Sequence, residues 1–216
     1  MLKLKINEIF YSLQGESKTV GLPTVFIRLT GCPLRCVYCD TEYAFHQGDQ
    51  MPLDEIVEQV KKYNTRYVTV TGGEPLAQKN CNVLLTQLCE QGYQVSLETS
   101  GAMDVQNVDS RVMKVMDLKT PSSKEEAKNK YSNLKFITAN DQIKFVICDK
   151  SDYDWATIQL DKYKLIESCE VLFSPVNLTN DSTITKELAE WILADQLQVR
   201  FQIQLHKFIW GNIPGV

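Results

Sequence analysis

The chain has 216 residues, a formal net charge of −4, 44% hydrophobic residues and 23% charged residues. This acidic balance gives no overall electrostatic footprint for nucleic acid, and no segment reaches the length of an apolar membrane span. Seven cysteines, together with an N-terminal decapeptide (MLKLKINEIF) without a sustained apolar run, argue against a secreted disulfide scaffold. We therefore expect a cytoplasmic protein that binds neither nucleic acid nor membrane.

Strand and helix patterns alternate along the chain. Short runs rich in β-branched residues predict strands, and they lie at 24–30, 66–71, 94–99, 112–118, 142–148, 169–174 and 199–205, with an additional strand over 4–12. Apolar residues at helical spacing predict helices over 53–60, 81–88 and 184–192. Ser123 and Glu126 form a candidate capping box that predicts a short helix.

The alternation of strands and helices predicts parallel strands joined by right-handed crossovers. Seven such strands are too few for an eight-fold barrel, and the third to fifth connections look short. We therefore predict an α/β fold with a partial, open-sided TIM-like barrel. A doubly wound sheet is the alternative, because periodicity alone does not separate the two. No linker divides the chain, so a single domain over 1–216 is expected.

Irregular motifs begin where the predicted strands end, and in parallel sheets active sites assemble at that edge. The motifs are a cysteine loop at 31–41, GGEP at 72–75, ETSG at 98–101, DLKTPSS at 117–123, SPVN at 174–177 and LHK at 205–207. This distribution is typical of an enzyme.

Cys32, Cys36 and Cys39 form a CxxxCxxC loop. A cubane iron–sulfur cluster has four irons, each taking one thiolate, so three cysteines leave one iron open for a substrate. Radical chemistry with S-adenosylmethionine needs this arrangement. A structural zinc site would need a fourth ligand, and the remaining cysteines and histidines form no second pair. These residues are Cys81, Cys89, Cys148, Cys169, His46 and His206.

Four further features have both a functional and a simpler interpretation. The GGEP glycines let backbone approach a ligand closely, or they make a tight turn. Arg28 is suited to binding a carboxylate, or it faces outward from its strand. Gln14 and Glu16 can read the edge of a heterocycle, or they belong to a solvated loop. Thr41, in Asp40-Thr41, can reach Mg²⁺, or the pair caps a helix.

The simplest role for Cys81, Cys148 and Cys169 is as small core residues, and Cys89 carries no functional pattern. His46 is expected in a surface loop. His206, at the end of a predicted strand, is equally compatible with a core position and with a ligand.

The motifs resemble those of radical S-adenosylmethionine enzymes and, more narrowly, the 7-carboxy-7-deazaguanine synthase family. The resemblance runs nearly end to end through SLQGE at 12–16, FIRLTGC at 26–32, CDT at 39–41, TGGEP, ETSG, DLKTPSS and LHKFIWGN. SLQGE and CDT are specific to the narrower family. Pro33, Tyr38 and Ser17 stand where the family more often has Asn, Trp and Gly.

The resemblance implies a set of site residues. A [4Fe–4S] cluster is implied at Cys32, Cys36 and Cys39, and Mg²⁺ at Thr41. S-adenosylmethionine is implied at Val37, Tyr38, Cys39, Gly72, Gly73, Glu74, Thr120, Pro121 and Ser122. Substrate is implied at Leu13, Gln14, Gly15, Glu16, Arg28, Thr71 and His206, and the residues at 206–216 are expected to close the pocket.

The reaction that the resemblance implies is the radical ring contraction of 6-carboxy-5,6,7,8-tetrahydropterin to 7-carboxy-7-deazaguanine, with loss of ammonia, in queuosine or 7-deazapurine biosynthesis. S-adenosylmethionine acts as a reusable cofactor in this family. A flavodoxin or ferredoxin as electron donor and a homodimer are further expectations from the family. A glycyl-radical-enzyme activase, which shares CxxxCxxC and GGEP, is the alternative, and an electron-transfer cluster protein is the non-enzyme interpretation.

Overall fold

One sheet of nine strands organises the described residues of the computed structural model, 1–176 and 183–216. The strands are β1 Lys3–Leu13, β2 Pro23–Leu29, β3 Asp49–Pro52, β4 Tyr67–Gly72, β5 Gln94–Thr99, β6 Met113–Asp117, β7 Gln142–Ile147, β8 Glu170–Pro175 and β9 Arg200–Phe201. Their order is β3-β1-β2-β4-β5-β6-β7-β8-β9. All pairs from β2 to β9 are parallel, whereas β1 pairs antiparallel with both β2 and β3.

The parallel strands follow one another in chain order, from β2 to β9, without a reversal. A doubly wound sheet would reverse its order at a switch point, so the sheet has the topology of an unclosed barrel. The predicted partial TIM-like barrel is confirmed, and β1 confirms the additional N-terminal strand.

Six α-helices occur in the described ranges, namely α1 Leu53–Lys61, α2 Cys81–Glu90, α3 Lys150–Tyr163, α4 Leu165–Ser168, α5 Thr183–Ala194 and α6 Leu205–Trp210. α1, α2 and α5 confirm the three predicted stripes. The connections from β5 to β6 and from β6 to β7, which were expected to be short, contain no α-helix. The fifth connection, however, contains the 14-residue α3. Its stripe was missed because the polar Asp152 and Gln159 are buried beside Tyr153, Ala156 and Leu160.

Two local predictions were wrong. The strand over 199–205 is reduced to β9, because only Arg200 and Phe201 pair with β8 and the chain enters α6 at Leu205. The capping box does not form: Lys124 lies in the left-handed region with φ +63°, and the Glu126 carboxylate accepts a hydrogen bond from the Trp155 indole at 3.1 Å. The predicted SPVN motif extends to residue 177, which lies outside the described residues.

The two faces of the sheet have opposite chemistry. On the outer face, aliphatic residues of β2, β4 and β5 pack against α1 and α2, and residues of β6, β7 and β8 pack against α3 and α5. The inner face alternates with the outer one and carries polar side chains, including Thr69, Ser96, Glu98 and Lys144. The inner face is therefore the face that can bind a polar ligand.

Phe145 on β7 is fully buried in the outer core, with its ring edge-on to Phe173 and Trp155. We expect Phe145→Ala to lower the free energy of unfolding by about 3–5 kcal/mol, because the truncation removes buried apolar area and leaves a cavity. Denaturant unfolding under reducing conditions measures the change. Ile158→Ala is the matched control, since this α3 side chain is 61% exposed and its loss should cost no more than about 0.5 kcal/mol. A loss below about 1.5 kcal/mol for Phe145→Ala would contradict this account of the core.

Candidate active site

A cavity of about 230 Å³ opens at the carboxyl ends of the parallel strands. Its walls come from the cysteine loop after β2, from the arm formed by residues 13–16 at the end of β1, and from the segment 204–207 that enters α6. Its floor is the polar inner face of β4 to β7. The predicted strand-end location of the site therefore matches the position of this cavity.

The three cysteines of the CxxxCxxC loop, Cys32, Cys36 and Cys39, all line this cavity. The loop is turned by a hydrogen bond from Cys39 N to Cys36 O at 3.1 Å, and Cys32 Sγ accepts one from Leu34 N at 3.4 Å. Burial raises the pKa of all three thiols, that of Cys36 to about 11. A metal that binds here must therefore displace three protons.

Three neighbouring thiols on one cavity wall are a suitable donor set for a cluster in which each iron takes one thiolate. Within residues 1–176 and 183–216, no three His, Cys, Asp or Glu side chains converge closely enough to hold one metal ion. Individual irons of a cluster do not require such convergence. The Lys119 ammonium also lines the cavity and favours the ionised form of each cysteine.

Gly72 and Gly73 bring the GGEP turn directly against the cysteine loop. A Cβ on Gly72 would lie 2.2 Å from Leu29 O, and one on Gly73 would lie 2.3 Å from Gly31 O and 2.7 Å from Cys32 Cβ. Glu74 N also donates to Gly31 O at 2.8 Å. A side chain at Gly73 would push the turn away from the cysteine loop, and one at Gly72 would push it away from the end of β2 that leads into the loop.

Glu74 is fully buried and does not line the cavity. Its carboxylate accepts hydrogen bonds from Thr99 Oγ1 at 2.8 Å, Ser100 N at 2.7 Å and Leu76 N at 3.0 Å. These contacts tie the GGEP turn to the ETSG turn. A direct contact of Glu74 with S-adenosylmethionine stays a prediction.

Gln14 and Glu98 meet at the floor of the cavity. The Gln14 amide donates to Thr69 Oγ1 at 3.1 Å and to Glu98 Oε1 at 3.4 Å, and Thr71 Oγ1 donates to Glu98 Oε2 at 2.8 Å. Burial, reinforced by the nearby Glu16 charge, raises the pKa of Glu98. The floor therefore offers a carboxyl and an amide to the donor and acceptor edge of a heterocycle.

Glu16 extends from the arm toward β7, where its carboxylate forms an ion pair with Lys144 at 2.8 Å. Burial raises the pKa of Glu16, but the Lys144 ammonium more than offsets this and the net pKa is lowered. The next residue, Ser17, has φ +63°, which is the backbone region that favours glycine. This conformation explains why the family whose motifs this chain resembles more often has Gly at this position.

Arg28 lies on the inner face of β2 and lines the cavity, so its outward-facing alternative is wrong. Its Nε donates to Glu8 Oε1 at 2.7 Å, and the Tyr43 hydroxyl donates to the same oxygen at 2.9 Å. This arrangement fixes the guanidinium from one side.

Thr41 stands at the end of the cysteine loop, beside Asp40. Its hydroxyl donates to Asp40 Oδ1 at 2.8 Å, which leaves the oxygen lone pairs available to a cation. Asp40 Oδ2 accepts from Lys207 Nζ of α6 at 2.5 Å. The Asp40-Thr41 pair is thus attached to the C-terminal segment, and no side-chain capping bond is made by Thr41 to the short helix Glu42–Phe45.

The loop 120–122 lies behind the cavity wall. Thr120 is buried and donates to Val146 O at 2.9 Å, while Ser122 N donates to Asp152 Oδ1 at 2.9 Å. Val37 is 70% exposed, and its backbone N–H donates to Ser123 O at 3.2 Å, which joins this loop to the cysteine loop. Within the described residues, the buried Tyr38 hydroxyl has no hydrogen-bond partner.

The cavity unites most of the predicted site residues. Lining it are Cys32, Cys36, Cys39, Thr41, Tyr38, Gly72, Gly73, Leu13, Gln14, Gly15, Glu16, Arg28, Thr71 and His206, whereas Val37, Glu74, Thr120, Pro121 and Ser122 do not line it. Sequence reasoning singled out neither Lys144 nor Gln204, and it included Asp117, Lys119 and Lys207 only within the DLKTPSS and LHK motifs, without a role. All five also line the cavity. For Asp117 and Lys144, the polar positions within alternating strands were an available signal.

The other cysteines and His46 lie away from the cavity walls. Cys81, Cys89 and Cys169 are buried in the two outer cores, whereas Cys148 is half-buried at the end of β7 and is not part of either core. His46 is exposed, as predicted.

Among the described helices, none combines the length and the apolar character needed to cross a bilayer.

Residues 26–155 match the radical SAM superfamily, and the chain is therefore a radical S-adenosylmethionine enzyme, of the class that uses a [4Fe–4S] cluster and S-adenosylmethionine. It belongs, more narrowly, to the 7-carboxy-7-deazaguanine synthase family. The synthase of Chlorobaculum tepidum is 42% identical over 212 residues, spanning 96% of this chain and 94% of that protein. The synthase of Koribacter versatilis is also 42% identical, with 96% and 97% covered.

A solved structure supports the fold. The crystal structure of QueE from Escherichia coli matches with a TM-score of 0.79 at 22% identity, over 95% of this chain and 96% of that chain. The curated relatives do not favour the glycyl-radical-enzyme activase.

Gly15 and His206 pack so closely that a Cβ on Gly15 would lie 2.0 Å from His206 Nδ1. We expect Gly15→Ala to displace α6, and tryptic cleavage after Lys207 to become at least severalfold faster. The double variant Gly15→Ala/His206→Ala removes the clash with the imidazole ring and leaves a 3.0 Å contact with His206 N, so its cleavage rate should return most of the way to that of His206→Ala alone. Equal cleavage of Gly15→Ala and the unaltered protein would show that α6 does not depend on this close contact.

Proposed function

We propose that the enzyme converts 6-carboxy-5,6,7,8-tetrahydropterin to 7-carboxy-7-deazaguanine by radical ring contraction with loss of ammonia, in queuosine or 7-deazapurine biosynthesis. The observation that carries this proposal is that the cysteine loop and the SLQGE arm line one cavity. The cysteine loop is common to the superfamily, and the SLQGE arm is specific to the narrower family. Both therefore line the space in which a small heterocycle would bind. The names of the curated relatives support the same reaction.

Cys32, Cys36 and Cys39 would hold the [4Fe–4S] cluster. When bound, the cluster and S-adenosylmethionine supply the radical that removes a hydrogen atom from the substrate. For the cofactor itself, we propose contacts from the backbone of Val37–Cys39, from Gly72–Glu74 and from Thr120–Ser122. The last of these segments lies behind the wall, joined to the cysteine loop by Val37 N, so its contribution includes support of that loop.

The arm and the floor would hold the pterin. Gln14 and Glu98 present an amide and a carboxyl whose pKa is raised, and these groups suit the amide and amine edge of a pterin. Leu13, Gly15, Thr71 and His206 complete the enclosure. Arg28 would bind the substrate carboxylate through its Nη groups, since Glu8 engages Nε. The cavity thereby orients the substrate and excludes water.

Thr41 would contribute one oxygen to Mg²⁺, which prefers oxygen ligands and retains several waters. Asp40 Oδ1 accepts a hydrogen bond from the Thr41 hydroxyl, which leaves the lone pairs of that oxygen free for the cation.

We further propose a single domain over 1–216 whose residues 206–216 close the pocket. The position of Val216 and His206 on the cavity wall supports this closure. A flavodoxin or ferredoxin as electron donor, a homodimer and a cytoplasmic location complete the proposal.

Conversion of the pterin under anaerobic, reducing conditions tests the function directly. The reconstituted enzyme should release 7-carboxy-7-deazaguanine, detected by mass, without any protein substrate. Absence of this product from protein that carries a full cluster would overturn the proposal.

Cys36→Ala should abolish product formation and lower the bound iron well below the roughly four atoms of a complete cluster. The matched control is Cys89→Ala, because Cys89 lies in the outer core, away from the cavity. It should keep both iron and activity. Equal iron content in the two variants would exclude Cys36 as a ligand.

Thr41→Val retains the shape of the side chain and removes its oxygen. We expect the Mg²⁺ concentration for half-maximal activity to rise by about tenfold or more, a loss typical of altered metal sites. Thr157→Val on α3 is the control, since its hydroxyl bonds only locally to Tyr153 O. An unchanged Mg²⁺ requirement in Thr41→Val would remove Thr41 from the metal site.

A further inference from the structure

The side-chain amide of Gln204 connects two carboxylates that come from distant parts of the chain. Gln204 Nε2 donates to Glu16 Oε1 at 2.8 Å and to Asp40 Oδ2 at 3.3 Å. Glu16 belongs to the arm, whereas Asp40 precedes Thr41 on the cysteine loop. Gln204 itself lies just before α6 and lines the cavity.

Each of these carboxylates has a second attachment. Glu16 Oε2 pairs with Lys144 on β7 at 2.8 Å, and Asp40 Oδ2 pairs with Lys207 on α6 at 2.5 Å. The two lysine side chains are only 15% and 10% exposed. Both ends of the Gln204 bridge are thus held by shielded cations, and charge-assisted hydrogen bonds of this kind are among the stronger ones.

The backbone reinforces the bridge. Leu205 N donates to Gly15 O at 2.9 Å, so the segment entering α6 is joined to the arm by main chain as well as by side chain. Each carboxylate keeps its lysine partner without Gln204, but the Gln204 amide is the donor that joins the two ion pairs to each other. The amide therefore holds two walls of the cavity in one arrangement.

We propose that Gln204 is a positioning residue that couples the substrate arm to the metal-binding end of the cysteine loop. Its amide fixes the Glu16 carboxylate at the pterin site and the Asp40 carboxylate beside the Thr41 hydroxyl. Substrate binding and Mg²⁺ binding are consequently linked through one side chain. This inference rests on the proposed function, because it assigns roles to the pterin and Mg²⁺ sites.

Gln204→Met tests the coupling, because it keeps the length of the side chain and removes both donors. We expect KM for the pterin and the Mg²⁺ concentration for half-maximal activity each to rise about tenfold, the change expected when a hydrogen bond to a charged group is lost. The value of kcat should change less than threefold. Bound iron and the spectral change of the cluster on addition of S-adenosylmethionine should stay as in the unaltered enzyme.

Gln198→Met is the matched control, since Gln198 is exposed and its amide contacts only Gln196 O nearby. Lys207→Met should raise the Mg²⁺ concentration for half-maximal activity in the same way. Lys207→Arg keeps the positive charge beside Asp40 and should leave that concentration unchanged. These variants also provide a readout if Gln204→Met folds poorly. Pterin and Mg²⁺ constants in Gln204→Met within twofold of the control would overturn the proposal. A rise in only one of the two constants would also overturn it. The same holds if Gln204→Met loses bound iron and the spectral change on addition of S-adenosylmethionine. If the unaltered enzyme does not convert the pterin, the proposed function fails instead.

Discussion

The structure depends on one constraint: the inner face of its largely parallel sheet carries polar side chains. Buried polar groups must be paired, because each unpaired group costs free energy that a marginally stable fold cannot spare. Thr69 therefore bonds to Ser96 at 2.8 Å across two strands, and Thr71 bonds to Glu98. Lys144 lies 3.6 Å from Asp117 on β6, but it makes its shorter ion pair, at 2.8 Å, with Glu16 on the arm. The polarity of the floor thus dictates that other segments must cover it, and the cavity is the space left between floor and cover.

The outer face follows the opposite rule, and it explains how much of the fold could be predicted. Aliphatic residues at period 2 in the strands and at helical spacing in α1, α2 and α5 are buried in the two outer cores, so hydrophobic pattern alone located these elements. The hydrophobic pattern did not predict α3 because this helix buries Asp152, whose carboxylate accepts hydrogen bonds from Ser122 N and Cys148 N. A sequence pattern assigns such a charged residue to the surface. β9 was overextended because the alternation continues past Phe201, whereas the chain leaves β8 after a last hydrogen bond from Gln202 N to Phe173 O and enters α6 at Leu205.

The site divides in the same way. The cysteine loop could be predicted because its ligands are local, and the chemistry of three thiolates in eight residues has few interpretations. The sequence predicted that the GGEP glycines permit a close approach. It did not predict that the approach is to the segment from Leu29 to Cys32, which only the structure shows. Gln204 carried no sequence signal, and Lys207 stood out only as a member of the LHK motif, without a role. Their significance comes from contacts with Glu16 and Asp40, and periodicity holds no information about such distant pairings.

The distance along the chain between the two sides of the cavity has a consequence for biosynthesis. Asp40 and Gln204 are 164 positions apart, so at a translation rate of roughly 5–20 residues per second the ribosome needs about 8–33 s to make the second after the first. During this interval the cysteine loop and its supporting strands emerge while the segment that covers them does not yet exist. Nascent chains thus pass through a stage in which the thiols are open to iron delivery and to oxygen alike. The segment that encloses the cysteine loop is thus made well after the loop itself.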